Sequence, residues 1–217
     1  KRETKVCSGR ATVRFGERAL VIGERLNPTG KPKLKQALRE GDMDYLLREA
    51  LAQEEAGADI LDVNVGLPGI DEPGVMEQAV KRLQAVTALP LQIDTSDGKA
   101  MEKALRCYNG RPLLNSVCGK EESLETVLPL AKKYGAAVVA LTLDEKGIPA
   151  TAQGRLDIAR KILERAREYG LEEEDIVVDP LTMAVSTGTD NALVTLEALK
   201  RIREELGVHT VLGVSNS

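Results

Sequence analysis

The stretch LPLQIDTS, residues 89–96, contains a short apolar run that ends at Asp94. A run of this length predicts a buried strand, and the carboxylate lies where that strand ends. A charged side chain in the middle of a buried strand would be costly, whereas α/β proteins bind ligands at the carboxyl ends of their parallel strands. The stretch therefore predicts a parallel α/β fold with polar side chains at its ligand-binding edge.

Apolar runs that end at a carboxylate or carboxamide recur along the chain. Four further instances have the same form: LDVN at 61–64, LN at 114–115, VD at 178–179 and VSN at 214–216. One such residue often caps the helix that follows it, but the carboxyl ends of parallel strands all lie at one edge. Five instances together predict a ring of hydrogen-bonding groups around one mouth.

Strand and helix patterns alternate over the chain. Segments with apolar residues at helical spacing separate the apolar runs. The first such segment covers residues 42–56, and the last contains Leu193, Leu196, Leu199 and Ile202. Strands that are apolar on both faces and alternate with helices predict a (β/α)₈ TIM barrel, with an open doubly wound sheet as the alternative. No G-x-G-x-x-G motif follows the first strand, which weakens that alternative. The predicted strands lie at residues 19–23, 59–64, 112–115, 136–143, 176–180 and 210–214, and the third strand, between the second and the fourth of these, ends at Asp94.

The number of strands bears on the domain boundaries. A closed barrel of this type has eight strands, and the sequence provides seven. Residues 1–18 form a polar lead-in, in which the alternating residues 12–15 are compatible with a small hairpin. Either this hairpin substitutes for the eighth strand, or the barrel is truncated after the seventh. We predict the second arrangement, with residues 19–217 as a barrel domain that lacks its eighth β/α unit.

Composition narrows the function classes. The 217 residues, of which 42% are hydrophobic, suffice for one large domain, and no apolar run is long enough to cross a bilayer. A net charge of −4 and an aromatic content of 2% argue against nucleic acid as the partner. No secretory leader is recognisable, and the spacing of Cys7, Cys107 and Cys118 fits no zinc motif. We therefore expect a cytoplasmic protein with reduced thiols and no metal.

Nucleophiles are scarce at the predicted mouth. His209 is the sole histidine and precedes the seventh strand, at the opposite end, so we expect it to be structural. Cys118 follows the fourth strand and is more typical of packing. Carboxylates and carboxamides suit a flat polar heterocycle with alternating donors and acceptors better than a two-carboxylate hydrolase or a hard-metal site. The mouth offers eight of them: Glu24, Asn27, Asp62, Asn64, Asp94, Asn115, Asp179 and Asn216.

Six motifs in order along the chain carry a family resemblance. They are GERLNPTG at 23–30, LDVN at 61–64, IDTS at 93–96, LNS at 114–116, VDPL at 178–181 and GVSN at 213–216. With these motifs the chain resembles the pterin-binding methyltransferases, which include the folate domain of cobalamin-dependent methionine synthase and the methyltransferase acting on a corrinoid iron–sulfur protein. Residues 4–9, TKVCSG, are similar to the lead-in from the homocysteine domain of that synthase.

The resemblance implies methyl transfer from 5-methyltetrahydrofolate to cob(I)alamin carried on another domain or protein, as in methionine synthesis. It implies that Asp94, Asn115 and Asp179 hold the pterin ring and that Asn216 reaches the methyl-bearing nitrogen. Asp94 and Asn216 are thus the expected catalytic residues. The implied partners are a cobalamin-binding domain or corrinoid protein and, in the parent chain, a homocysteine-binding domain.

The remaining candidates have less specific roles. The resemblance places four of them along the same substrate site: Glu24, Asn27, Asp62 and Asn64. Three lysines, Lys31, Lys33 and Lys35, either meet the glutamate tail of a folate or form a solvated helix entrance.

Two other functions remain open. Dihydropteroate synthase shares the fold and the pterin site, but its Ser-x-Arg ending is absent from the sequence around Ser215-Asn216. A folate-binding module that holds the ligand without turning it over is the alternative from outside the enzymes.

Overall fold

A computed structural model describes residues 3–181 and 189–213 of the chain, which divides into two compact units. The N-terminal unit comprises residues 5–115 and 134–136. Its parallel strands follow one another in chain order, with β3 beside β4, β4 beside β5 and β5 beside β6. Its strands are β1 (Lys5–Cys7), β2 (Thr12–Arg14), β3 (Ile22–Leu26), β4 (Ile60–Val63), β5 (Leu91–Asp94) and the first half of β6 (Leu113–Cys118).

Four helices connect these strands: α1 (Pro32–Glu40), α2 (Met43–Glu55), α3 (Glu72–Val86) and α4 (Gly98–Cys107). Aspartates begin three of them, because Asp42, Asp71 and Asp97 each accept a hydrogen bond from a backbone N–H of the first turn. The helix α1 was not predicted; it begins at a proline and ends at Gly41, whose φ of 70° lies in the left-handed region.

The C-terminal unit comprises residues 1–4, 116–133 and 137–217. Within it, β7 and β8 are parallel, and β8 and β9 are parallel. Its elements after β6 are α5 (Glu121–Tyr134), β7 (Ala137–Leu141), α6 (Ala152–Glu168), β8 (Ile176–Asp179), α7 (Thr189–Arg201), a π-helical turn (Ile202–Leu206) and β9 (His209–Thr210). The alternation of parallel strands and helices confirms the predicted α/β fold.

Most apolar residues of the described helices are buried, but Leu51 of α2, Val86 of α3 and two leucines of α7 are exposed. The helix α7 buries the small residues Thr195 and Ala198, and Ile202 follows them in the π-helical turn. The predicted stripe is wrong for Leu193 and Leu196, whose exposures are 65% and 59%. In the part of the chain that the structure describes, no helix is long and apolar enough to span a membrane.

The N-terminal hairpin forms a separate antiparallel sheet of β1 and β2. The Tyr108 hydroxyl donates to the carbonyl of Cys7 at 2.8 Å and accepts from the N–H of Leu91 at 3.2 Å. These bonds hold the hairpin at the amino end of β5, and burial raises the pKa of the tyrosine to about 12. The hairpin is therefore a cover for that end of the unit, and the idea that it substitutes for the eighth barrel strand is wrong.

The strand β3 lies at residues 22–26 and not at the predicted 19–23, and it contains a bulge. Gly23 pairs with Leu61 and Leu26 with Val63, so β3 has one more residue than its partner over this interval. The side-chain oxygen of Gln53, on α2, accepts the N–H of Arg25 at 3.1 Å and so satisfies a backbone donor at the bulge. Glu24 consequently lies within a strand, although the sequence placed it in a loop.

We expect Gly23→Ala to destabilise this bulge. An added Cβ would lie 2.3 Å from Oε1 of Gln53, and moving the amide would strip the Arg25 N–H of its acceptor. The expected loss is about 1–3 kcal/mol in the free energy of unfolding, measured by urea denaturation. Gly213→Ala is the control, because no atom of the described residues lies within 4 Å of its added Cβ. Equal stability of the two variants would contradict this account of the bulge.

Candidate functional site

Polar side chains form two rows across the carboxyl ends of β4, β5 and β6 in the N-terminal unit. Asp94 is paired in register with Asn115, and Asp62 is paired with Gln92. Since strand side chains alternate between faces, Asp62 and Asn64 share one face, as do Gln92 and Asp94. The outer row is therefore Asn64, Asp94 and Asn115, and the inner row begins with Asp62 and Gln92.

Asp62 is the most deeply buried of these groups. Its side chain is 1% exposed, and its Oδ1 accepts a 2.6 Å hydrogen bond from Nε2 of Gln92. Burial first, and then the neighbouring charge of Asp94, raises the pKa of Asp62 well above its usual range. Asp62 is the third of the four residues of β4, near the carboxyl end of the strand, and it is followed by the buried Val63.

Asp94 lies at the centre of the outer row. Burial raises the pKa of Asp94, and the neighbouring side chains of Asp62 and Asn64 oppose that rise only in part. Among the outer-row groups, Asp94 is the ionisable acceptor.

The orientation of the Asn64 amide follows from its other bond. Its Oδ1 accepts the N–H of Gly66 at 2.9 Å, so the amide nitrogen remains to donate to Asp94. The next loop is tied to the same edge, because the hydroxyl of Thr95 donates to Oε1 of Glu72 at 2.7 Å. The side chains around Asp94 are therefore fixed before any ligand binds.

Glu24 and Asn27 lie on β3 and in the loop after it. Glu24 is exposed, and its charge contributes to raising the pKa of Asp62. Oδ1 of Asn27 accepts the N–H of Thr29 at 3.0 Å. The ammonium of Lys31 donates to the carbonyls of Glu24 and Asn27, at 3.2 and 3.0 Å, so this lysine stabilises the loop.

A cleft of about 500 Å³ lies beside that loop and is lined by Arg25, Lys31, Pro32, Lys33, Tyr45 and Glu49. Its lining combines three cationic side chains with one carboxylate and an aromatic ring. The cleft can accept a chain that carries carboxylates along a partly apolar surface.

Asp179 is the candidate of the C-terminal unit. It ends β8, and its Oδ1 accepts the N–H of Leu181 at 2.8 Å. Leu181 has a φ of 62°, in the left-handed region that non-glycine residues seldom adopt. The predicted residue Asn216 lies outside the described residues, as does Val214 at the end of the predicted seventh strand.

A buried arginine that the sequence did not identify holds the backbone after Asp179. Arg155, on α6, is fully buried, and its guanidinium donates to the carbonyls of Pro149, Pro180 and Leu181 and to the hydroxyl of Thr195. Its Nη2 has no hydrogen-bond partner within residues 3–181 and 189–213. Burial lowers the pKa of this guanidinium. Arg155 therefore fixes the turn that also binds the Asp179 carboxylate.

The chemistry of these groups is that of binding and hydrogen bonding. Cys7, Cys107 and Cys118 are free thiols, and burial raises the pKa of Cys107. His209 begins β9, at the amino end of that strand. The described residues contain no group of three or more histidine, cysteine, aspartate or glutamate side chains that could hold a metal ion.

Comparison with known proteins adds the family. A model of the pterin-binding enzymes matches residues 23–217. The chain belongs to this family. Methionine synthase of Mycobacterium tuberculosis (strain ATCC 25618 / H37Rv) is 32% identical in an alignment 227 residues long. The alignment covers 99% of this chain and 19% of that protein. Methionine synthase of Mycobacterium leprae (strain TN) is 29% identical with the same coverage. This pterin-binding chain therefore spans about a fifth of the length of the curated relatives it matches.

Solved structures support the fold assignment. Dihydropteroate synthase of Xanthomonas albilineans with 4-aminobenzoic acid superposes with a TM-score of 0.73 at 21% identity, covering 99% of this chain and 79% of that one. Dihydropteroate synthase of Yersinia pestis, bound to a pterine-sulfa conjugate, gives 0.72 at 18% identity, covering 98% and 77%. These similarities confirm the TIM-barrel type of the pterin-binding fold.

We expect Arg155→Met to destabilise the C-terminal unit. The variant leaves the carbonyls of Pro180 and Leu181 and the Thr195 hydroxyl without their donor, at a cost of about 2–4 kcal/mol in the free energy of unfolding. Arg160→Met on the same helix is the control, because its exposed ion pair with Glu205 contributes about 1 kcal/mol or less. Urea denaturation followed by circular dichroism measures both, and comparable losses would contradict the role of Arg155.

Proposed function

We propose that this chain binds 5-methyltetrahydrofolate and transfers its methyl group to cob(I)alamin carried on another domain or protein. The observation that carries the proposal is the row of Asn64, Asp94 and Asn115 at the carboxyl ends of three adjacent strands. A pterin presents N–H donors and ring acceptors along one edge, and a carboxylate between two carboxamides offers matching partners. The methionine synthase relatives and the family match favour a folate over other pterins.

The proposed roles differ along the rows. Asp94 and Asn115 hold the pterin ring, and Asp179 accepts hydrogen bonds from the amino-pyrimidine edge of the substrate. Glu24, Asn27, Asp62 and Asn64 line or support the same site. The glutamate tail of the folate would extend into the cleft of Arg25, Lys31 and Lys33, where its carboxylates meet cations.

Methyl transfer requires help at the leaving nitrogen. The C–N bond breaks, its electron pair stays on the folate nitrogen, the methyl group passes to the acceptor cobalt, and the nitrogen takes up a proton. A tertiary amine is a poor leaving group, so a hydrogen bond that strengthens as charge develops lowers the barrier. On the ground of the family resemblance, we assign this role to Asn216 and a second ring contact to Asp179.

One experiment separates the candidate functions. The chain is mixed with 5-methyltetrahydrofolate and free cob(I)alamin, and methylcobalamin is followed by its absorbance. Turnover supports the methyltransferase. Folate binding measured by calorimetry, without turnover, indicates a binding module, and condensation of 4-aminobenzoic acid with a pterin diphosphate would instead identify a dihydropteroate synthase. Failure to bind any pterin would contradict the proposal.

We expect the effects of Asp179→Ala and Asn216→Ala to separate. Asp179→Ala leaves substrate donors unpaired and weakens folate affinity by about 10- to 100-fold, corresponding to about 1–3 kcal/mol. Asn216→Ala lowers the single-turnover rate by about 10²-fold and changes affinity less, because its hydrogen bond matters most in the transition state. Calorimetry and stopped-flow absorbance measure the two quantities.

Asn109→Ala is the matched control for these variants. This exposed carboxamide follows α4, at the amino end of β6, and its loss should leave both quantities unchanged. The catalytic role of Asn216 would be wrong if its replacement weakened folate binding and left the single-turnover rate intact.

A further inference from the structure

The buried carboxyl of Asp62 has one satisfied oxygen and one unsatisfied oxygen. Oδ1 accepts the hydrogen bond from Gln92, while Oδ2 is buried and has no donor anywhere in the described ranges. Native proteins seldom leave a buried carboxylate oxygen without a partner, because the desolvation penalty is large. The buried Oδ2 of Asp62 therefore requires a partner that the neighbouring side chains do not supply.

The charged groups that face Asp62 are both acidic. Asp94 lies two residues beyond Gln92, the register partner of Asp62, on the same face of the sheet, and its charge and that of Glu24 on β3 act on Asp62. Gln92 on β5 is neutral. An ionised Asp62 would thus face like charges from both neighbouring strands in a site shielded from water. Two carboxyls in such contact are compatible when one of them is protonated.

We propose that Asp62 and Asp94 share a single proton, which resides on Oδ2 of Asp62 and is donated to Asp94, and that Gln92 is the positioning residue that directs the proton to this oxygen. The proton supplies the missing partner for Oδ2 and removes the repulsion between the carboxyls. Because the Gln92 amide already donates to Oδ1, the proton is directed to the other oxygen. The identity of the ligand that benefits rests on the proposed function, but the shared proton does not.

The shared proton would set the charge that the substrate meets. With Asp62 neutral, the pair carries one negative charge, located on Asp94 and held by donors from Asp62 and Asn64. Asp94 then keeps oxygen lone pairs for the N–H groups of a ligand. The pair is therefore suited to a neutral ring with several N–H donors, and it disfavours an anionic ring.

The first test needs no ligand. Infrared spectroscopy of the folded chain should show the C=O stretch of a protonated carboxyl at neutral pH, and Asp62→Asn should abolish it. Asp157→Asn, on the exposed face of α6, is the control and should leave the band in place. Absence of the band from the unmodified chain, or its persistence in Asp62→Asn, would overturn the shared proton.

The second test concerns stability. Because the pKa of Asp62 is higher in the folded than in the unfolded chain, its contribution to stability is complete below the unfolded pKa. It is lost as the pH rises through the folded pKa. The free energy of unfolding of Asp62→Asn minus that of the unmodified chain should therefore increase with rising pH over that interval, because only the unmodified chain loses this contribution. A difference that stays constant with pH would contradict a titrating Asp62.

The third test isolates Gln92. Its hydrogen bond favours the charged form of Asp62, so Gln92→Met should move the disappearance of the infrared band to higher pH. A residue that only fills space would not change this titration. An unchanged titration in a variant with native circular dichroism would remove Gln92 from the proposal.

The last test connects the proton to the ligand. Asn at position 62 can donate to Asp94 and accept from Gln92, so Asp62→Asn should keep the affinity for 5-methyltetrahydrofolate within about threefold. Asp62→Ala should lose about tenfold or more. Equal affinities of the two variants would contradict the role of the proton in binding. If the unmodified chain failed to bind folate, the proposed function would fail while the infrared result stood.

Discussion

The parallel register of β4, β5 and β6 is the constraint on which the site depends. Pairing Asp62 with Gln92 and Asp94 with Asn115 brings residues 30 and 21 positions apart in sequence into adjacent positions. A slip of one residue in β5 would turn Asp94 away from this face and place Ile93 in the row, so the register is strongly specified by burial. The same hydrophobic core that stabilises the sheet therefore determines which polar groups meet.

The supporting structure acts on the site through backbone groups. Gln53 satisfies the extra residue of the β3 bulge, which allows β3 to end in the loop of Asn27 and Lys31. In the C-terminal unit, Arg155 binds the carbonyls after β8 and so fixes the turn at Asp179. In both places a long side chain from a helix replaces hydrogen bonds that the irregular backbone cannot make with its neighbours. Irregular segments at the strand ends are thereby held as firmly as the strands.

The sequence predicted the alternation of strands and helices because each strand is a short apolar run followed by a polar residue. It could not predict the bulge in β3, since that depends on Gln53, a residue of the following helices. Gln92 was overlooked because a carboxamide inside an apolar run looks like a packing irregularity until its partner Asp62 is known. Arg155 was overlooked for the opposite reason: an arginine on an amphipathic helix is usually solvated, and only the converging carbonyls explain its burial.

The buried Asp62 carboxyl is bonded by a neutral amide and not by a cation, and this affects which ligands the site can bind. A lysine or arginine in place of Gln92 would keep Asp62 ionised. The added cation would also attract the Asp94 carboxylate and so compete with the N–H donors of the ligand. A carboxamide instead orients the carboxyl and adds no charge, so desolvation favours the neutral acid. The neutral acid is a donor, and a donor beside Asp94 strengthens the one charge that remains. The polar rows thus concentrate a single negative charge at the strand ends, where the N–H groups of a ring can donate hydrogen bonds to it.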